Sequence, residues 1–552
     1  MAQPAETESQ PFTLTTPARA GRPARGHALL GLLQRPFLLT DRALRHALPD
    51  DVNPLLHTGA VANTLLLVAV ASGVLLLLWY VPSLHQAWLS LDALKESVFG
   101  QLMRSVHRYS SDACVLFILL HAVRALAEEK FSGARWLAWV TGVAAVGLTW
   151  LVGWLGYWLV WDTRARQVAL GTARLVDDLP VFAEPLSRSF LTDGSLNTFL
   201  FFVVFFLHML LPLAMVVALW LHITRLTRPR FLANRALTAW ILVALVIASL
   251  VVPAHSTTPA RMLVTPGPMT VDGWYLLPLW LTDRLSSGAL WLLVLLGSMV
   301  CLAVPWALGR GRPAPSQVQP DKCNNCQRCF ADCPFNAISM APREDARHPF
   351  VARVDASKCV GCGICAGSCD SSGIGLPWLA APDVRPVVEA WVTANPGVHV
   401  VFGCGTSAAG ELAADPVTGC VPGMDGLRMV SLPCAGWVHP LTVERLIKRG
   451  ASRVTLVACA PGSCQFRFGA TWAQLRHTGA RPPILRTDEV DPARVRVIHL
   501  DRTQGAELRR ALAAEVRPPQ PGPRARARVM LAGVALAGVA TVSTVAIADI
   551  PY

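Results

Sequence analysis

GQLMRSVHRYSSDACVLFILLHAVRAL, residues 100–126, carries His107 and His121 fourteen residues apart in an apolar run. Four turns of an α-helix take about 14.4 residues, so both imidazoles leave one face, separated by about 21 Å along the axis. FFVVFFLHMLLPLAMVVALWLHITRL, residues 201–226, repeats the spacing with His208 and His222. A single histidine in an apolar helix is commonly a hydrogen-bonded core residue. A polar side chain at membrane depth is nevertheless costly and marks function. Two helices with matching histidine pairs read as two bis-imidazole sites stacked across a bilayer, the axial-ligand pattern of haem iron.

The remainder of the chain fits a membrane protein with soluble attachments. Its 552 residues leave room for about three or four domains, and 53% are hydrophobic. The net charge of +13 is carried mainly by arginine near the ends of apolar runs. That distribution suits the positive-inside rule, and no basic patch interleaved with aromatics points to nucleic acid. Thirteen of the 15 cysteines fall between Cys323 and Cys464, implying metal clusters in a reducing compartment and not a disulfide framework.

Residues 1–50 read as a cytoplasmic tail whose 29–48 portion lies along the membrane surface. Six spans are expected at about 59–80, 98–126, 137–160, 197–226, 236–253 and 288–308. Basic residues gather before the first span and after the second, fourth and sixth, which places those ends in the cytoplasm. His107 and His208 then lie toward the outer face, and His121 and His222 toward the cytoplasm. Each haem takes one histidine from the second span and one from the fourth.

Residues within these spans resemble cytochrome b of the quinol-oxidising bc and bf complexes. The likeness rests on Gly100, Arg104 and His107 in GQLMRSVH, His121 and Arg124 in HAVR, WVTGV at 139–143, GYWLVWD at 156–162 and HMLLPLAMVVALWLH at 208–222. The resemblance implies two b haems, with Gly73 and Gly156 letting them approach the helices and Arg104 and Arg124 near their propionates. It also implies a homodimer. VDGWYLLPLW, 271–280, is similar to the family's Pro-Glu-Trp-Tyr quinol motif, but Asp272 and Gly273 stand where that motif has Pro and Glu. Asp272 and Tyr275 are the residues expected at a quinone site.

Past a Pro- and Gly-rich linker, Cys323, Cys326, Cys329 and Cys333 follow a C-x2-C-x2-C-x3-C-P pattern, repeated by Cys359, Cys362, Cys365 and Cys369. This is the spacing of bacterial two-cluster ferredoxins, in which the fourth cysteine of each run serves the other cluster. One 4Fe–4S cluster is expected on Cys323, Cys326, Cys329 and Cys369, the other on Cys359, Cys362, Cys365 and Cys333. Asp370 stands where the second run would carry proline.

From about residue 385 the pattern turns α/β. Apolar runs at 398–402, 453–459 and 494–500 read as buried strands, and 439–450 reads as a helix closing on glycine. Cys404, Cys434, Cys459 and Cys464 fall where strands end, the usual place for sites in an open α/β sheet. Four thiols there suit a 2Fe–2S cluster, with Cys404 or Cys420 as the first ligand; zinc and a Cys459–Cys464 thiol pair are the competing readings. The Cys-Ala-Gly and Cys-Ala-Pro-Gly-Ser-Cys segments resemble the iron–sulfur delta subunit of methyl-viologen-type hydrogenases, which implies a heterodisulfide-reductase-like flavoprotein partner. RARARVMLAGVALAGVATVSTVAIADIPY, 524–552, reads as a last span with a small-residue packing face.

The expected fold is therefore a mostly α membrane bundle with a ferredoxin-like α+β domain and an α/β domain on the cytoplasmic side. Its divisions are 1–50, 51–310, 311–380, 381–515 and 524–552. The expected setting is a bacterial cytoplasmic membrane. Two haems b, two 4Fe–4S clusters and one 2Fe–2S cluster would join a cytoplasmic flavoprotein or NAD(P)H-oxidising subunit to the quinone pool. Two rivals are quinol oxidation that splits electrons toward a low-potential acceptor, and an anchor that holds clusters without carrying flux.

Overall fold

The computed structural model describes residues 24–179, 185–190, 198–224, 226, 229–264, 276–282, 284–309, 313–343 and 348–516. Ten helices run through its first part: α1 (Ala24–Arg45), α2 (Thr58–Leu76), α3 (Ala87–Asp92), α4 (Val98–Ala127), α5 (Trp136–Leu159), α6 (Thr163–Asp177), α7 (Thr198–Ile223), α8 (Arg235–Val251), α9 (Leu277–Thr282) and α10 (Ser287–Ala307). Polar residues begin several of them. The side chains of Ser97, Asp162, Asn234 and Ser286 accept from the first free backbone N–H groups of α4, α6, α8 and α10.

Among the described residues, five segments are long and apolar enough to cross a membrane: Pro54–Leu76, Val98–Ala127, Gly133–Leu159, Thr198–Ile223 and Ser287–Ala307. The remaining expected span, α8, has only 17 residues. That gives about 25 Å of helix against a hydrocarbon core of about 30 Å. The span expected at 524–552 lies outside the described residues. Helix α2 packs against α4, and α5 against α7. Phe206, Leu213, Val216 and Trp220 of α7 stay exposed, as side chains facing lipid would.

Within the expected N-terminal tail, α1 is a helix packed on α4. Its Asp41 is buried and bonds Arg124 of α4, while its Arg42 bonds Asp501 in the soluble part. Arg45 of the same helix donates to the carbonyl of Pro461. One helix thus grips both halves of the molecule.

The soluble part opens with two small antiparallel pairs. Strand β1 (Gln317–Val318) pairs with β4 (Ile374–Gly375), and β2 (Ile338–Pro342) with β3 (Phe350–Val354). Short helices α11 (Arg328–Asp332) and α12 (Ile364–Gly367) carry cysteines from the two runs. Helix α13 (Ala381–Ala394) leads into a parallel sheet of β5 (His399–Cys404), β6 (Leu427–Leu432), β7 (Arg453–Ala458) and β8 (Val495–His499), in the order β6-β5-β7-β8. Helices α14 (Pro440–Lys448), α15 (Gly469–His477) and α16 (Gly505–Val516) complete it.

All six residues of β5 are buried, the signature of a central parallel strand covered on both faces. Val384, Val388 and Val392 of α13 join Val443 and Leu446 of α14 against one side, and Leu508 and Leu512 of α16 close the other. Strands β5, β7 and β8 match the three apolar runs expected to be strands. The edge strand β6, LRMVSL, has two half-buried polar positions and no continuous apolar run to announce it.

Candidate functional site

Helices α4 and α7 bring the four histidines together in two pairs. The ring centroids of His107 and His208 are 6.3 Å apart with their planes at 78°; those of His121 and His222 are 6.4 Å apart at 76°. A metal held between two imidazole nitrogens, at about 2 Å from each, separates the ring centroids by roughly 6 Å. Both pairs have that spacing.

Hydrogen bonds fix which nitrogen faces inward. Nδ1 of His107 lies 2.8 Å from the Ala69 carbonyl, and Nδ1 of His208 lies 2.8 Å from that of Val152. A carbonyl only accepts, so each Nδ1 carries the proton and each Nε2 keeps its lone pair free for a metal. Nδ1 of His121 and of His222 sit 3.2 Å from the hydroxyls of Thr58 and Thr141.

Each ring also lies against a glycine. A Cβ placed on Gly73 would come within 2.9 Å of His107 Cε1, and one on Gly156 within 3.0 Å of His208 Cε1. Gly59 and Gly142 stand in the same relation to His121 and His222, at 3.2 and 3.1 Å. These last two escaped the sequence reading, although the signal was present. Gly59 and Gly73 are fourteen residues apart, as are Gly142 and Gly156, so the partner helices repeat the histidine period.

A cavity of about 490 Å³ opens beside the first pair, lined by His107, His208, Gly73, Gly156, Arg104 and Arg108 among others. Arg104 is buried there and donates to the Leu91 carbonyl and the Ser256 hydroxyl. Arg124, expected to play the same part at the other pair, has its guanidinium engaged by Asp41 at 2.7 Å and Glu128 at 2.9 Å. Asp272 and Tyr275 lie outside the described residues.

The cysteines gather as the spacing suggested. Cys333, Cys359, Cys362 and Cys365 line one small cavity, closed by Phe335, Ile338 and Ile364. Backbone N–H groups of Ala337 and Ser316 donate to the sulfurs of Cys333 and Cys359 at 3.3 and 3.5 Å. Such donors stabilise sulfur that carries negative charge in a cluster. Cys329 has Cys365 of that set as well as Cys369, Cys326 and Cys323 of its own expected set as electrostatic neighbours, and Gly373 N–H donates to Cys369 Sγ at 3.2 Å.

In the parallel sheet the chain leaves β5 toward β6 and leaves β7 toward β8, so the switch point falls between β5 and β7. Cys404 ends β5 and Cys459 follows β7, and their sulfurs meet there at 3.6 Å. Cys434 contacts Cys464, which contacts Cys459, so the four thiols form one buried group. Cys420 stands apart, bridged to Arg428 beside β6. Thr406, unnoticed in the sequence, places its hydroxyl 3.2 Å from Cys404 and 3.1 Å from Cys459.

Residues 44–229 match the family model of cytochrome b/b6/petB, residues 322–372 that of the 4Fe–4S dicluster domain, and residues 400–516 that of the methyl-viologen-reducing hydrogenase delta subunit. Three successive segments of one chain thus each match a different family model. A solved structure described as "Hyperthermophilic respiratory Complex III" aligns with TM-score 0.38 and 18% identity, over 51% of this chain and 80% of that one. The cytochrome b segment implies haem b, and the dicluster segment implies iron–sulfur clusters.

The dicluster and delta-subunit segments are locked together by buried polar groups. Arg476 of α15, fully buried, donates to Asp332, to the Ser368 hydroxyl and to the Gly436 carbonyl at 2.8 Å. Those acceptors are neighbours of Cys333, Cys369 and Cys434, one from each cysteine group. Burial works against ionisation of Asp332, but hydrogen bonds from Arg481 and the charge of Arg476 outweigh it and hold its carboxyl below the usual range. Asp370, in place of the usual proline, bonds Arg328 and accepts from His439 Nε2 at 3.0 Å, at the start of α14. The departure from the ferredoxin pattern thus ties the two segments.

The loop between Cys459 and Cys464 sits on the end of the bundle that carries His121 and His222. Gly462 packs on Leu56, and Pro461 accepts from Arg45.

Proposed function

We propose that this membrane electron-transfer protein joins a cytoplasmic flavoprotein, of heterodisulfide-reductase-like or NAD(P)H-oxidising type, to the quinone pool. Its proposed cofactors are two haems b, on His107/His208 and His121/His222, two 4Fe–4S clusters on the eight ferredoxin-pattern cysteines, and one 2Fe–2S cluster on Cys404, Cys434, Cys459 and Cys464. Haem iron and iron–sulfur clusters supply one-electron redox chemistry when bound. The protein's own part is placement. The observation that carries the reading is the pair of histidine spacings, 6.3 and 6.4 Å, each ring backed by a glycine.

The two pairs are stacked along the same helices, so they form successive stations between the faces of the bundle. His121 and His222 lie at the end that meets the soluble segments, which makes that pair the entry to the membrane part. The carbonyls of Ala69 and Val152 accept from Nδ1 of His107 and His208 and hold those imidazoles in the tautomer that can ligate. Apolar walls of Phe335, Ile338 and Ile364 keep water from the second cysteine set. The remaining parts of the proposal are the bacterial cytoplasmic membrane, six spans with a C-terminal seventh, a homodimer and a quinone site at Asp272 and Tyr275. Quinone reduction is the favoured direction.

The test is spectroscopic. Purified protein is expected to show two haems by pyridine haemochrome, and His121→Ala to lose only the one nearer the soluble segments. Retention of both at full occupancy in that variant overturns the pairing. Redox titration of the clusters decides direction: potentials far below the quinone, with haem reduction through the soluble partner, support the reading. Cluster reduction by quinol alone sinks it.

A further inference from the structure

Two arginines stand beside the same two cysteine groups where the soluble segments meet the bundle: Arg467, which donates to the Pro334 carbonyl at 3.2 Å, and Arg135, which reaches in from the bundle itself. Arg135 occupies the position just before the start of α5, its side chain making no capping bond to the helix. Six residues on, Thr141 of the same helix bonds His222, so Arg135 lies at the entry end of the bundle. Its Nη2 donates to the carbonyl of Gln465 at 2.6 Å, in the residue that follows Cys464. Its guanidinium lies over two rings, Phe335 at 5.0 Å and Phe466 at 5.6 Å.

Each ring belongs to a different group. Phe335 follows Cys333 by two residues and lines the cavity shared with Cys359, Cys362 and Cys365. Phe466 follows Cys464 by two. The thiols of Cys362 and Cys464 are both within the electrostatic reach of Arg135. The two groups also border one apolar cluster, which holds Cys362, Ile364, Cys434 and Trp472. Among the described residues, none flanking Cys323, Cys326 or Cys329 joins the Arg135 contacts.

A cation–π seat on two rings and a carbonyl bond hold this charge in place. Accepting an electron makes a cluster more negative, so a fixed positive charge nearby favours the reduced form and raises the reduction potential. The effect weakens with distance, so it is greatest for the two nearest centres.

We propose that Arg135 is a positioning residue that sets the reduction potentials of two iron–sulfur centres jointly, at the crossing between soluble segments and membrane. The centres are those of Cys333/Cys359/Cys362/Cys365 and Cys404/Cys434/Cys459/Cys464, and the inference rests on the ligand sets of the proposed function. One side chain keeps both centres poised together, so an electron meets matched stations where it leaves the soluble wire. The centre on Cys323, Cys326, Cys329 and Cys369, whose flanking residues make none of the Arg135 contacts, feels this charge least.

The experiment is a potentiometric titration, followed by electron paramagnetic resonance, of the full-length protein in detergent with iron content measured. R135Q is expected to move two of three cluster signals to lower potential and leave the third in place; R135K is expected to restore the two. Unmoved signals in iron-loaded R135Q, or an equal shift in all three, overturn the proposal. If R135Q does not assemble, F466L is read instead, because it loosens the guanidinium without removing it. A smaller shift of the same two signals sustains the proposal there, and no shift or a uniform one overturns it. Fewer than three cluster signals in the unmodified protein overturn the ligand sets themselves, and this inference with them.

Discussion

Arg476 Nη2 lies 2.7 Å from Asp332 Oδ2, with the arginine side chain wholly buried and the aspartate nearly so. The pair joins α15 of the delta-subunit segment to α11 of the dicluster segment. A guanidinium in such a place is held by geometry and by every acceptor around it, and removing it strands the remaining charge. Arg476→Leu is therefore expected to cost about 3–5 kcal/mol of stability. Chemical denaturation of the detergent-solubilised full chain measures the loss. A change under about 1 kcal/mol would show that Arg481 alone satisfies Asp332.

The glycines beside the histidines give a paired forecast. Gly73→Val or Gly156→Val puts a branched side chain where even a Cβ would stand 2.9 or 3.0 Å from an imidazole carbon. Overpacking of this kind costs about 1–3 kcal/mol and pushes the ring off its line. Each variant is expected to lower haem stoichiometry from two to one, and Gly59→Val or Gly142→Val is expected to remove the other haem. Gly147, with nothing within 4 Å of a built Cβ, is the control: Gly147→Ala is expected to keep both.

Cys404 and Cys420 compete for one role in the sequence, and the structure separates them. Cys404→Ser is expected to abolish the signal of the centre in the delta-subunit segment, whereas Cys420→Ser is expected to leave it intact. Electron paramagnetic resonance of both variants, with iron counted, distinguishes them; equal loss in the two would contradict the grouping at the switch point.

Acid sensitivity follows from two histidines in the same segment. Burial lowers the pKa of His399 to about 4, with Glu515 opposing and Arg453 assisting. Burial does the same to His477, whose neighbours include Arg476, His439 and Glu444. Both are neutral when folded, while the unfolded chain takes up protons near the ordinary value of 6.5. Stability is therefore expected to be flat above pH 6.5 and to fall progressively as pH drops toward 4. Denaturation midpoints across that window check it, and the double variant His399→Gln, His477→Gln is expected to flatten the decline.

Much of this arrangement was legible because the chemistry imposes a period. Histidines at a fourteen-residue interval in apolar helices, and cysteines at ferredoxin spacing, leave little freedom in how they fold. Strands β5 and β7 were readable for a similar reason, since a central strand covered on both faces is largely apolar, and the edge strand β8 was readable from the apolar positions of RVRVIHL. Strand β6 was missed because it sits at the sheet edge and its polar residues break the run. Arg135 and Arg476 gave no local signal of their roles, and Asp370 showed only as a departure from the usual proline, since their partners lie far along the chain and only folding brings them together. Helix α8 matches the expected span at 236–253 in place and apolar character, but its 17 residues are shorter than the five longer candidates among the described residues.

Helix α1 holds Arg124 in the bundle through Asp41, Asp501 in the sheet segment through Arg42, and the cysteine-bearing loop through Arg45. With three such grips on one helix, the gap between the soluble wire and the His121/His222 pair is set by the fold, and no domain has to travel to close it. If electrons cross this joint as proposed, their passage is expected to be independent of solvent viscosity, unlike that of any carrier that must swing between its donor and acceptor.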